Sequence, residues 1–324
     1  MAFNRADYVK VKEEYEKKRI LAEKSAEDRK KQYCKAHPEM DEICRKLDET
    51  GPKVYAAALL GKDGYEERLA AIRAETEELL QKQKKMLADD GYGEDLFDVR
   101  YECPLCYDRG NINGKMCSCM RDRLVKAGYE SSGIGTLVDK MNFDTFDLSF
   151  YTGDDRRNMK TVYEKAREYA ENFHGKGSGS LLFFGGTGLG KTHLSVAVAK
   201  KVIESGYYTV YCTSDELFTD LREDRFRDKD DRSDPVTDKY AECELLVIDD
   251  LGTELNGRDI IPHLYNMLNQ RINKGLSTVI STNLSHTELL GKYDDRIVSR
   301  LFGEFLPYRF TGKDVRMQKL QVRR

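Results

Sequence analysis

The sequence of 324 residues predicts an α/β protein: a doubly wound parallel sheet with helices on both faces, preceded by a helical N-terminal region and a small four-cysteine module. Three observations carry this expectation. From about residue 158 onward, helical patterns alternate with short apolar or β-branched runs, as successive βαβ units require. Residues 1–98 are charged with interleaved signs, 20 Lys+Arg against 23 Asp+Glu, the pattern of solvated helix faces. Between them, residues 101–120 hold four of the eight cysteines.

The N-terminal region has helical spacing throughout. Tyr8, Val11 and Tyr15 share one face, and Leu69, Ile72, Thr76, Leu79, Gln83 and Met86 keep the 3,4 spacing of a heptad seam. Gly51-Pro52 and Gly61 to Gly64 interrupt the run, so two or three helices are expected rather than one rod. Such a region is a helical hairpin or a docking arm for a partner, and docking is the favoured reading. The whole chain is 34% charged with no Trp and a net charge of -3, which by itself says nothing about nucleic acid. It has no run of 18 apolar residues and no apolar stretch near its start, so no membrane span or secretory signal is expected and a cytoplasmic location follows.

Cys103-x₂-Cys106 and Cys117-x-Cys119 are separated by ten residues that include the turn sequence Asn111 to Gly114. Two close pairs across a turn can place four thiolates round one tetrahedral Zn²⁺, with no open coordination position, so the metal would be structural. A redox dithiol is the competing reading, but its usual βαβ setting is missing. Cys34, Cys44, Cys212 and Cys243 are scattered and read as packing residues. Domain limits are set at 1–98 for the helical docking region, 99–127 for the zinc module and 128–157 for a linker. Within that linker Met141 to Phe146 would lay aromatics on the next domain, which spans 158–324.

That last domain is organised around one stretch. Leu181 to Phe184 read as a buried strand, His193 to Glu204 as a helix, and between them Gly185-x-x-x-x-Gly190-Lys191-Thr192 matches the phosphate-binding loop. Gly185, Gly186, Thr187, Gly188, Leu189 and Gly190 would turn successive N–H groups inward as an anion nest at a helix N-terminus. Lys191 would reach the β- and γ-phosphates of ATP, and Thr192 would ligate Mg²⁺. Flanking elements are a helix from Met159 to Asn172, a strand from Tyr207 to Cys212, a helix capped by Ser214 and running to about Glu223, and strands at Leu245 to Ile248 and Thr278 to Ser281.

The second strand ends in Asp249 and Asp250. A carboxylate there holds the metal shell and a neighbour activates the attacking water, so Asp249 is assigned to the metal and Asp250 to the water, with Glu254 as a weaker alternative base. Asn283 follows the next strand, where its amide can reach the γ-phosphate or the water. Arg296 and Arg300 fall on one helical face, either solvated, paired with Asp294 or Asp295, or reaching a neighbouring subunit's phosphate; Arg316 can sense the phosphate from its own chain. Residues 308–324 carry six Lys+Arg against one Asp, and Arg225, Phe226 and Arg227 set an aromatic between two cations, diluted by Asp228, Asp230 and Asp231. These features make single-stranded DNA a candidate ligand.

Glycine loop, Asp-Asp strand, Ser281-Thr-Asn283 strand, Ser299-Arg-Leu301 helix and Gly312-x-x-x-Arg316 tail, in this order, resemble an AAA+ ATPase of the DnaC/DnaI helicase-loader and IstB group, over residues 140–324. The cysteine module behind a helical region looks like the DnaI side. The resemblance implies Asp249 and Asp250 as the acidic motif, Asn283 as first sensor, Arg300 as arginine finger and Arg316 as second sensor. It also implies a loader that docks on the replicative DNA helicase through the N-terminal region and zinc module and self-associates through its ATPase domains. Where many AAA+ proteins have Glu, this chain has Asp250, which implies slow hydrolysis. The short tail after Arg316 leaves no room for a full helical lid, so a nucleotide switch is expected. The alternatives are an IstB-type transposase helper on duplex DNA and a non-catalytic primosome adaptor.

Overall fold

The computed structural model describes residues 3–61, 64–226, 237–254 and 260–322, and nothing is described of the Phe226 side chain. Arg227, Asp228, Asp230 and Asp231, which belong to the candidate DNA loop, lie outside the described residues. The chain divides into two compact units, Lys12–Cys119 and Met1–Val11 with Met120–Arg324.

Helices α1 (Arg5–Ala36), α2 (Pro38–Asp48), α3 (Thr50–Leu59) and α4 (Tyr65–Asp89) precede a two-stranded hairpin, β1 (Asn111–Ile112) and β2 (Lys115–Met116). Exposed i,i+4 pairs such as Lys31–Glu27 at 2.6 Å and Lys46–Glu42 at 2.7 Å line the solvated faces. The break between α1 and α2 falls at His37-Pro38, where proline occupies the first helical turn and cannot continue the preceding helix. The heptad seam of α4 faces α2 and α3. Leu79 is buried, Thr76 lies 3.5 Å from Thr50, and the Gln83 amide donates to the Cys44 thiol at 3.9 Å. The α4 seam is thus covered within its own unit by α2 and α3, which run antiparallel to it from Cys44 opposite Gln83 to Lys53 opposite Glu75. A small aromatic core closes the unit, with Tyr33 stacked on His37 at 4.3 Å and edge-on to Phe97 at 5.7 Å.

The larger unit follows through α5 (Ser118–Ser131), α6 (Leu137–Lys140), α7 (Gly153–Glu171), β3 (Ser180–Phe184), α8 (Lys191–Glu204), β4 (Thr209–Thr213), α9 (Ser214–Phe226) and α10 (Asp238–Glu242). Then come β5 (Leu245–Leu251), α11 (Ile261–Asn273), β6 (Ser277–Thr282), α12 (His286–Lys292), α13 (Asp295–Gly303), β7 (Phe305–Arg309) and α14 (Val315–Val322). Among the described residues five strands form one sheet in the order β4-β5-β6-β3-β7, every pairing parallel. Its strands are apolar on both faces because both are covered. Leu181, Phe183, Val247 and Val279 point into a core with α7 and α8, while Leu182, Leu246, Ile248 and Ile280 point into a core with α9, α11 and α13. Residues 128–157 contribute Ile134, Val138 and Tyr151 to the first core.

Helix α7 begins six residues earlier than its apolar pattern predicts. Asp154 and Asp155 in its first turn complement the helix dipole there. The edge strand β7 has no counterpart in the sequence reading, since Pro307 argues against a strand; at a sheet edge proline is tolerated. Arg271, fully buried on α11, joins the second face to the sheet. Its guanidinium donates to the Tyr240, Cys243 and Ser277 carbonyls at 2.6, 3.0 and 2.5 Å and to the Thr278 hydroxyl at 3.0 Å.

A nucleotide pocket at the carboxyl end of the sheet and a thiolate cluster

Parallel strands deliver their carboxyl ends to one edge, and here the glycine loop that follows β3, Asp250 near the end of β5 and Asn283 just after β6 line a common cleft. The loop 185–190 leaves β3 and turns into α8. Gly185 (φ +142) could not carry a Cβ, which would sit 2.4 Å from the carbonyl oxygen of Phe310, the residue just after β7. At Gly188 (φ +70) the obstacle would be the Asp314 carboxyl carbon at 2.2 Å. The loop is thus clamped by the chain on either side of it.

Lys191, buried at the start of α8, donates to the Gly185 and Gly186 carbonyls at 2.8 and 2.6 Å and to the Asn283 side-chain oxygen at 2.6 Å. Desolvation pulls its pKa down to about 8 against the opposing pull of Asp250 and Asp249. Thr192, Asp250, Asn283 and Arg316 line the same cleft. Asp250 sits at a bulge of β5 with φ +54, an unusual conformation for a residue with a Cβ. Its N–H donates to the Ser281 hydroxyl at 2.9 Å, and its carboxylate accepts from the Asn283 amide at 3.2 Å. Burial, and then the charge of Asp249, raise its pKa. Asp249 is buried behind it and accepts from the Tyr211 hydroxyl at 2.9 Å and the Ser281 hydroxyl at 2.5 Å. A carboxylate has more than two acceptor positions, so Asp249 retains capacity for a metal-bound water.

The other wall was not anticipated in the sequence reading beyond its aromatics. Met141, Phe146, Phe150, Tyr151, His193 and Lys319 line it. The Tyr151 hydroxyl donates to the Leu189 carbonyl of the glycine loop at 3.0 Å, and Phe146 meets His193 edge-on at 5.2 Å. Glu254 is engaged elsewhere: it accepts from Tyr293 and from the Gly252 N–H, and pairs with Lys292 at 3.2 Å. Arg300 does not line the cleft. On α13 its guanidinium donates to the Asn269 side-chain oxygen at 2.9 and 3.2 Å and lies 4.6 Å from the Tyr265 ring centre. Arg296 covers the same ring at 5.0 Å and pairs with Asp294 at 2.7 Å.

In the smaller unit Cys103, Cys106, Cys117 and Cys119 place their sulfurs within 4.8 Å of one another, with 3.9 Å between Cys103 and Cys117 and 3.5 Å between Cys106 and Cys119. A tetrahedral zinc with bonds of about 2.3 Å has sulfur–sulfur edges of about 3.8 Å, so the cluster fits that ion. The surrounding loop is shaped for it. Tyr107 and Asp108 both have φ +52, and the buried Asp108 carboxylate accepts from the Cys103 and Glu102 N–H groups at 2.8 and 2.9 Å. The Gly110 N–H donates to the Cys106 sulfur at 3.3 Å. The hairpin β1–β2 carries the chain from one cysteine pair to the other.

Among the described residues no helix is long and apolar enough to cross a membrane. Residues 121–302, more than half of the chain, match the profile of the IstB-like ATP binding proteins. The chromosomal replication initiator protein DnaA of Wolinella succinogenes is 30% identical over 175 residues, 54% of this chain and 38% of that protein. The uncharacterized protein YqaM of Bacillus subtilis is 27% identical over 244 residues, 72% of this chain and 75% of that one. The replicative helicase loader DnaC of Escherichia coli K12 is 22% identical over 173 residues, 53% of this chain and 67% of DnaC. The chain thus spans well under two thirds of the length of that DnaA. It belongs to the IstB-like ATP binding family, within the DnaC/IstB group of AAA+ ATPases.

Proposed function

We propose that this protein hydrolyses ATP and loads the replicative DNA helicase. The observation that carries the ATPase part is the meeting of Lys191, Thr192, Asp250, Asn283 and Arg316 at one cleft. In this reading Lys191 exchanges its loop carbonyls for the phosphates, and Thr192 and Asp249 hold Mg²⁺, which supplies charge neutralisation on the phosphate chain. Asp250, with its raised pKa and its hydrogen bond from Asn283, accepts the proton of the attacking water. Arg316 senses the third phosphate from its own chain, and Arg300 reaches the nucleotide of a neighbouring copy. The loading part is supported by the likeness to DnaC and by the smaller unit. Its helix α3 exposes Tyr55 and Leu59 and is followed by exposed Leu60, while only Ala57 of that helix is buried. An exposed apolar surface in the unit that also carries the thiolate cluster suits a protein partner. Single-stranded DNA is proposed as a ligand of the larger unit, and the cytoplasm as the location.

The test is capture of the replicative helicase from the source cell on tagged protein with ATP, with ADP, and with the Lys191→Ala variant. Nucleotide-sensitive capture by the wild type, lost in Lys191→Ala, is the expected result. Likeness to the IstB group favours a second reading, a transposase helper on duplex DNA. Absence of capture in every state, together with ATP-dependent binding to duplex DNA, would replace the loader with that reading.

A further inference from the structure

The last helix carries two cations to the nucleotide cleft, and they face different ends of it. Helix α14 is fixed to the glycine loop at its first residue, where the Val315 N–H donates to the Gly188 carbonyl at 3.0 Å. The Asp314 carboxylate, packed against Gly188, accepts from the Arg316 and Met317 N–H groups at 2.8 and 3.2 Å. With its start held this way, residues 316 and 319 share one helical face, and both line the cleft. Arg316 lies at the γ-phosphate end: its charge is felt by Lys191 and Asp250. Lys319 lies at the other end. Its Nζ is 5.3 Å from the Phe150 ring centre, and its charge is felt by Asp147 and by His193, the residue after the loop's Thr192. Asp147 already accepts from the Ser149 N–H at 2.8 Å, and among the described residues no carboxylate lies within 4 Å of the Lys319 Nζ.

We propose that Lys319 is a nucleotide-binding residue that contacts the α-phosphate and ribose end, so that α14 grips ATP and ADP alike at Lys319 and distinguishes them at Arg316. The ammonium sits on an aromatic wall, without an ion-pair partner among the described residues, beside the helix terminus that receives the α- and β-phosphates. Loss of the third phosphate would then leave α14 held at one point instead of two, which gives the C-terminal segment a graded response to hydrolysis. This inference rests on reading the cleft as the nucleotide site.

The experiment is calorimetric titration of ATP and ADP, with Mg²⁺, into the full chain as wild type, Lys319→Ala, Lys319→Arg and Arg316→Ala. Lys319 is exposed, so its removal leaves the fold intact. Lys319→Ala is expected to weaken both nucleotides by the same factor, about tenfold for a charge-assisted contact. Lys319→Arg should restore most of it, and Arg316→Ala should weaken ATP more than ADP. Unchanged ADP affinity in Lys319→Ala overturns the assignment while the wild-type titration still supports the cleft. A wild type that takes up neither nucleotide overturns the reading of the cleft, and this inference with it.

Discussion

Lys191 holds three oxygens of its own unit, so a phosphate chain must replace these contacts rather than fill a ready site. This exchange has a pH signature. With a pKa near 8, the ammonium is about nine-tenths charged at pH 7 and about one-tenth charged at pH 9. A polyanion binds the charged form, so ATP affinity is expected to fall about tenfold between pH 7 and pH 9, measured by displacement of a fluorescent nucleotide. Stability without nucleotide should move the other way. The folded pKa lies below the ordinary lysine value of 10.5, so the unfolded chain binds more protons in between, and stability rises from about pH 8 to about pH 10.5 as the buried charge is relieved. ATP affinity that stays flat across pH 7 to 9 would mean that Lys191 remains charged throughout and that burial has not shifted it.

Among the elements, α13 poses the sharpest question, because its Arg300 is tied to Asn269 and Tyr265 on α11 and is absent from the cleft walls. If Arg300 serves a neighbouring copy, Arg300→Ala should bind ATP within about twofold of wild type, yet lose about 10³-fold of the hydrolysis that grows with protein concentration. Equal hydrolysis by the two proteins at high concentration would assign Arg300 to packing alone. The elements also mark how far the sequence was legible. The β3–loop–α8 unit was readable because its glycines are demanded by local geometry, and β5 and β6 because buried parallel strands need continuous apolar runs. The seam of α4 was visible as a seam, but periodicity does not say which surface covers it, and here it is α2 and α3. Arg271 reads as one more solvated cation until the carbonyls of Tyr240, Cys243 and Ser277 converge on it. Likewise Tyr151 and Lys319 join the cleft only through contacts between segments far apart in the chain, which no local pattern encodes.

At the scale of the molecule, the two units have different sources of order. The larger one buries a sheet on both faces, with Leu182, Phe183, Leu246, Val247 and Ile280 all at 0% exposure, and contains every residue that lines the nucleotide cleft. The smaller has a modest aromatic core around Tyr33, many exposed ion pairs worth little individually, and a thiolate cluster whose four sulfurs would repel one another as anions without a cation between them. With zinc bound there, a small domain of this kind would draw much of its stability from the metal, because the site does not exist in the unfolded chain. Chelation should therefore act on one unit alone. Removal of zinc is expected to release about one ion per chain, to lower the melting temperature of one of two transitions and to abolish helicase capture. ATP affinity should stay within about twofold. Cys106→Ser should reproduce this without chelator. If chelation instead weakened ATP binding as strongly as capture, order in the cleft would depend on the metal. The two units would then have to be treated as one cooperative structure, with the zinc module supporting the ATPase rather than a partner.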